Sequence, residues 1–201
     1  EEKIKLDSIR QRIHHLDDLL WRENKAYGEE VHLFQLASSD FDGDPKKFKE
    51  RINNKITEIE KRKPIDTDIR LGYVGVPPII SDLYSFIEKD NVRIVYNEVQ
   101  RQFSLPVLGK LEQSYCSYTY PYGIYSRLKD IKTEIEKRNI DGIIHYIQSF
   151  CFRGIEDIVL REKLNVPILT IQGDFPGSVN ATTGVRIEAF LDILFTRKKE
   201  L

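Results

Sequence analysis

Methionine is absent from this sequence, cysteine occurs twice and tryptophan once. Two cysteines as far apart as Cys116 and Cys151 are too few for a disulfide framework, and such scarcity fits a reducing compartment, with the cytoplasm as the default. Nor can so few thiols hold a cubane iron–sulfur cluster unaided, because such clusters want three or four thiolates. No Cys/His pair has the spacing of a structural zinc site. No apolar run approaches the roughly 18–20 residues of a membrane span, and no secretory signal opens the chain. An excess of one charge sign is missing too. The formal net charge is -1, so no basic footprint for nucleic acid is expected. Neither a Walker motif nor a G-x-G-x-x-G fingerprint occurs, which leaves mononucleotide binding unsupported. A start at Glu1 with no methionine anywhere is what a piece of a longer gene product would give.

What remains is ample for a core: 40% of the 201 residues are hydrophobic, and 31% are charged. Ile4, Leu6, Ile9, Ile13, Leu16, Leu19 and Leu20 recur at helical spacing and predict an amphipathic helix that is lost near Gly28. A second helix is expected from Asp44 as cap and Pro45 at its first position, through Phe48, Ile52, Ile56 and Ile59. Lys63-Pro64 ends it. Residues 1–66 therefore form a helical section, and residues 67–201 form an α/β domain.

In that second part the rhythm changes to short apolar strands at residues 69–74, 92–96, 143–147 and 168–171. Helical stretches at about 79–89, 124–138, 155–164 and 182–197 alternate with them. Strands joined by helices are βαβ units, which force a parallel sheet. The expected fold is α/β: a four-stranded parallel sheet flanked by helices in a three-layer Rossmann or flavodoxin-like arrangement, with an N-terminal helical section. Ligands of such sheets bind beyond the carboxyl ends of the strands. The loops of interest are therefore 75–78, 98–101, 149–153 and 173–183.

Cys151 lies just past the third strand, where a following helix can aim its N-terminus at the sulfur. A buried structural thiol is the alternative. Cys116 sits in a tyrosine-rich stretch, residues 115–122, which suits either an aromatic pocket or a packed loop over the sheet edge. His145, inside a strand, reads as a core residue or a supporting one. Asp174, Thr182, Thr183 and Arg186 belong to a turn-and-helix segment that is receptive to anions. There the threonines serve equally as helix caps, and Arg186 can pair with Glu188. Glu98 and Arg101, past the second strand, can bind a polar ligand group or pair with neighbours.

One order of segments narrows this. Asp141-Gly142-Ile143-Ile144, Ser149-Phe150-Cys151, Val166-Pro167-Ile168-Leu169, Gly173-Asp174 and Arg186-Ile187-Glu188-Ala189-Phe190-Leu191 follow one another in the chain. That order resembles the C-terminal part of subunits of the 2-hydroxyacyl-CoA dehydratase and benzoyl-CoA reductase family. The resemblance implies a [4Fe–4S] cluster with Cys151 as one ligand and the remaining ligands outside this chain. It implies an acyl-CoA substrate, a homologous partner subunit and an ATP-dependent activator protein that supplies a low-potential electron. The implied reaction is radical elimination of water from a (R)-2-hydroxyacyl-CoA, or reduction of an aromatic acyl-CoA. Glu98, Arg101, Ser149, Asp174, Thr182, Thr183 and Arg186 are the accompanying cleft candidates, with Gln148 shaping the Cys151 loop. At Glu98-Val99-Gln100-Arg101, Gln100 stands where many relatives carry a cysteine. A non-catalytic binding or interaction module on the same fold is therefore the alternative.

Overall fold

A computed structural model describes residues 2–107, 109–117 and 123–200. Helices α1 (Glu2–Trp21), α2 (Gly28–Ala37) and α3 (Pro45–Glu60) come first. The spacing of Ile9, Ile13, Leu16 and Leu20 on α1, and of Phe48, Ile52, Ile56 and Ile59 on α3, puts each set on one face. The two faces close on each other with Val31 of α2 between them. Asp44 caps α3 through its carboxylate, which accepts the Lys46 and Lys47 amides at 3.1 Å, and Pro45 takes the first helical position. Helix α2 was not foreseen. Its buried side includes His32 and Gln35, so its pattern reads as neither apolar stripe nor solvated face.

Strands β1 (Ile69–Gly75), β2 (Val92–Asn97), β3 (Gly142–Ile147) and β4 (Ile168–Gln172) form one parallel sheet in the order β2-β1-β3-β4. Side chains alternate across it. Tyr73, Ile94, Ile144 and Tyr146 meet α4 (Leu83–Ile87) and α9 (Ala181–Lys199) on one face. Val74, Val95 and Ile143 meet α7 (Ile124–Arg138) and α8 (Arg153–Lys163) on the other. Two short helices, α5 (Glu98–Phe103) and α6 (Leu111–Cys116), lie between β2 and α7. Both fall where sequence spacing suggested irregular chain. Helix α4 is shorter than expected, because Ile80 is drawn into a bridge with Gly177 and only the residues beyond it turn helical.

The order has one consequence for function. From β1 the chain crosses outward to β2 on one side, then returns to β3 on the other, so the strand order reverses between β1 and β3. The crevice of a doubly wound sheet opens at that point, outside the strands' carboxyl ends. Gly75 ends β1 there, with φ +97°; a Cβ on it would stand 2.1 Å from the Tyr146 carbonyl oxygen. Only glycine lets these two strand ends approach so closely.

The helical section is welded to the sheet rather than hung from it. Arg138 of α7 sends two bonds, 2.9 and 2.7 Å, to the Asp17 carboxylate of α1 and a third, 2.7 Å, to the Val95 carbonyl of β2. Arg70 of β1 donates to the Trp21 carbonyl at 2.6 Å and to Asn24 at 2.8 Å.

Candidate functional site at the strand ends

Beyond β3 the chain turns sharply. The Cys151 amide returns to the Gln148 carbonyl at 3.1 Å, and Phe150 takes a left-handed conformation, φ +63°, at full exposure. Such a conformation is uncommon for a bulky residue and marks a constrained loop. Cys151 is half-buried, its carbonyl accepting the Gly154 amide as α8 begins. It is thus neither the fully buried structural thiol nor a freely exposed one. Cys116, by contrast, is exposed on α6, and residues 118–122 of the tyrosine-rich stretch lie outside the described residues.

Two sets of contacts flank the Cys151 loop. On the β4 side, Asp174 accepts the Ser149 amide at 2.5 Å and the Ser149 hydroxyl at 2.7 Å. The Gln172 amide group donates to both Ser149 and Asp174, at 2.8 and 2.7 Å. The backbone bond from Ser149 and the side-chain bonds from Gln172 and Ser149 hold the Asp174 carboxyl below its ordinary range. The two candidates Ser149 and Asp174 are therefore brought together.

On the β1–β2 side lies a buried ion cluster. Glu98 accepts the Gly75 amide at 2.9 Å and forms a fork with Arg127, at 2.5 and 2.8 Å. The third arm of Arg127 reaches Glu156 of α8 at 2.7 Å, and Arg153, the first residue of α8, meets the same Glu156 oxygen at 3.2 Å. Burial opposes the charge on Glu98, but the Arg127 guanidinium outweighs it and holds the carboxyl below its ordinary range. Beside this cluster, His145 is fully buried and hydrogen-bonds Asp157 at 2.7 Å through Nδ1. Burial keeps the imidazole below its ordinary range, against the pull of Asp157.

Of the other candidates, Glu98 is buried and pairs with Arg127 and the Gly75 amide as described. Arg101 turns the opposite way, to Asp130 and over the Tyr96 ring. Thr183 is buried, and its amide is capped by the Asn180 side chain at 2.9 Å; Thr182 lies exposed in the first turn of α9. The cap is thus Asn180 rather than a threonine, since it stands immediately before the first helical residue. Arg186 does not pair with Glu188 among the described residues; it donates to the Thr170 carbonyl of β4 at 2.7 Å. Arg127, Glu156, Arg153 and Gln172 were missed by the sequence reading. A signal existed: Arg127, Glu134 and Arg138 fall within the buried arc of α7, where charge is out of place.

Next to Asp174 a cavity of about 280 Å³ opens between Ile80, Gln172, Phe175 and Asn180. Phe150, Phe152 and Phe175 stand exposed on the loops after β3 and β4. A larger cavity, about 370 Å³, lies away from the strand ends between α1, α5 and α7. Its charges are already matched there, Arg101 with Asp130 and Arg138 with Asp17. No described helix is long and apolar enough to cross a membrane.

An open parallel sheet, a constrained cysteine loop at its switch point and a polar cavity beside it define an α/β domain that presents its strand ends to a ligand. Residues 3–194 match the family described as 2-hydroxyglutaryl-CoA dehydratase, D-component, and the chain belongs to that family. It is accordingly a subunit of the 2-hydroxyacyl-CoA dehydratase type, from a family that is one component of a multi-subunit dehydratase. No match was found among curated proteins.

Proposed function

We propose that this chain helps to remove water reductively from a (R)-2-hydroxyacyl-CoA, with Cys151 giving one thiolate to a [4Fe–4S] cluster. The observation that carries this reading is the position of Cys151: half-buried, on a constrained loop outside β3 at the switch point, in a chain of this family. The donor set fits in part. Among the described residues no group of three or more His, Cys, Asp and Glu converges on a metal site. A cubane cluster uses three or four thiolates, so its other ligands come from outside this chain. With Cys151 as one of its ligands, such a cluster would supply low-potential one-electron chemistry at the thioester carbonyl, the electron coming from an ATP-dependent activator protein. A homologous partner subunit completes the assembly, and reduction of an aromatic acyl-CoA is the variant of the same chemistry.

The chain's own residues have defined tasks in this scheme. Ser149, Asp174 and Gln172 fix the loop that carries Cys151. Phe150, Phe152 and Phe175 supply an apolar rim that excludes water once covered. The 280 Å³ cavity is too small for a whole acyl-CoA, and it receives one part of that ligand beside Asp174.

The test is anaerobic reconstitution of the complete gene product with iron and sulfide. Wild type takes up iron and gains visible absorption, and Cys151→Ala loses both. If Cys151→Ala keeps the iron content and spectrum of wild type, the ligand assignment is wrong. A second reading, a non-redox binding module, is favoured by Gln100. Its amide is fully buried, with Nε2 3.0 Å from His32 Nδ1, at the position where the family resemblance leads one to expect a cysteine. That reading predicts no iron uptake by the complete wild-type protein.

A further inference from the structure

We propose that Arg127 is a positioning residue for the Cys151 loop, acting through Glu156 and Arg153. This deepens the reading of Cys151 given above and rests on it.

Arg127 is 1% exposed and comes from α7, which carries no part of the loop. Its single guanidinium nevertheless links the chain at the ends of β1 and β2 to the first turn of α8. In Glu98 it holds the residue that follows β2 and, by the Gly75 amide, the residue that ends β1. Through Glu156 it holds α8, whose first residue Arg153 shares the same carboxylate oxygen and lies two positions after Cys151. The Cys151 carbonyl accepts the Gly154 amide, so a shift of the first turn of α8 is a shift of the cysteine.

The energetics argue for positioning over plain stability. Burying ion pairs carries a desolvation penalty that apolar side chains of similar volume would avoid, so such a cluster is weak ground for stability. This one is confined to the carboxyl end of the sheet; the sheet's middle is filled by Val95, Ile143, Leu128 and Ile131 on the same face. Arginine suits the post because its planar fork binds one carboxylate twice and still leaves an arm for a second, which a lysine cannot do. Glu156 completes the path, because Arg127 and Arg153 both bond its Oε2.

The readout is the alkylation rate of Cys151 by iodoacetamide, measured by mass spectrometry against Cys116 in the same molecules. The complete gene product is used in its iron-free form. Cys116, exposed on α6, is the internal reference. Arg127→Met and Glu156→Gln release the first turn of α8 and raise the Cys151/Cys116 ratio by about tenfold, as expected from losing a charged hydrogen bond that opposes local opening. Arg127→Lys recovers only part of the protection. Ile56→Ala, in the separate core of the helical section, lowers Tm without moving the ratio. If Glu156→Gln and Arg127→Met lower Tm but leave the ratio at the wild-type value, the cluster is structural only and the proposal fails. Should Arg127→Met not fold, Glu156→Gln decides alone. Because the assay contains no iron, its outcome is separate from that of the Cys151→Ala reconstitution.

Discussion

The joint between α1 and α7 allows a quantitative prediction. Arg138 and Asp17 are both buried and doubly bonded, and the guanidinium also serves Glu134 and the Val95 carbonyl. Removing one partner of a buried pair leaves the other charge uncompensated, at a cost of about 3–5 kcal/mol. Asp17→Ala should fall near 3 kcal/mol, because Arg138 keeps its other acceptors. Arg138→Met should cost more, near 5 kcal/mol, because Asp17, Glu134 and Val95 all lose a donor. The double variant should be more stable than the sum of the singles by about 2 kcal/mol, since once Asp17 is gone the arginine has less to lose.

The assay is built in. Trp21, the only tryptophan, lies 5.3 Å from the Arg138 guanidinium, so its fluorescence reports this joint during urea unfolding, while far-ultraviolet circular dichroism reports the whole chain. In wild type the two transitions should coincide. In Arg138→Met the fluorescence transition should come first as the helical section leaves the sheet. A coupling energy below about 0.5 kcal/mol, or coincident transitions in Arg138→Met, would refute the view that this ion pair welds the two parts.

Two further predictions concern single positions. Gly75→Ala forces a Cβ against the Tyr146 carbonyl in a left-handed backbone and should cost roughly 3 kcal/mol, a Tm drop of about 6–12 °C; a drop under about 2 °C would show that the strand ends can separate. Glu88 accepts the Gly28 and Ile94 amides at 2.9 and 3.1 Å, and burial pushes its carboxyl up to about 7. Its folded value lies above the unfolded one, so its protonation favours folding below about pH 4.5, and that gain is lost as pH rises through about 7. Glu88→Gln should therefore flatten the decline in stability between about pH 5 and pH 8, seen in urea midpoints. Parallel curves for wild type and variant would count against it.

How far the sequence carried the fold depended on whether the buried side of each element was apolar. Helix α7 was expected at residues 124–138 and spans Ile124–Arg138, because Leu128, Ile131 and Ile135 set its period. Helix α3 was legible from its Asp44-Pro45 start, and each strand from a short apolar run. Helix α2 was not, for it buries His32 against the Tyr84 ring at 4.8 Å and Gln35 beside Asp17, polar contacts that blur the period. Helix α5 was hidden for a related reason. Glu98, Gln100 and Gln102 are all buried there, so a helical turn looked like a solvated loop.

The candidate site divides along the same line. Cys151, Ser149 and Asp174 were singled out because topology directs attention to chain just beyond strands, and hydrogen bonds join Ser149 to Asp174. Glu98 and Arg101 were singled out by the same rule, and each pairs with a neighbouring charge, Arg127 and Asp130. A charge just past a strand has two ways to be satisfied, by a ligand or by an opposite charge from a helix packed on the sheet. Sequence spacing does not distinguish them, because the deciding partners, Arg127 and Asp130, lie 29 residues away in each case. Those partners carry a mark of their own, charge set into the apolar arc of α7. Where a strand-end carboxylate and a helix with an arginine in its buried arc occur in one βαβ unit, an inward ion pair is the better first expectation. The groups that remain on the loops beyond the strands, here Ser149, Cys151 and Asp174, are then the first to test for a ligand.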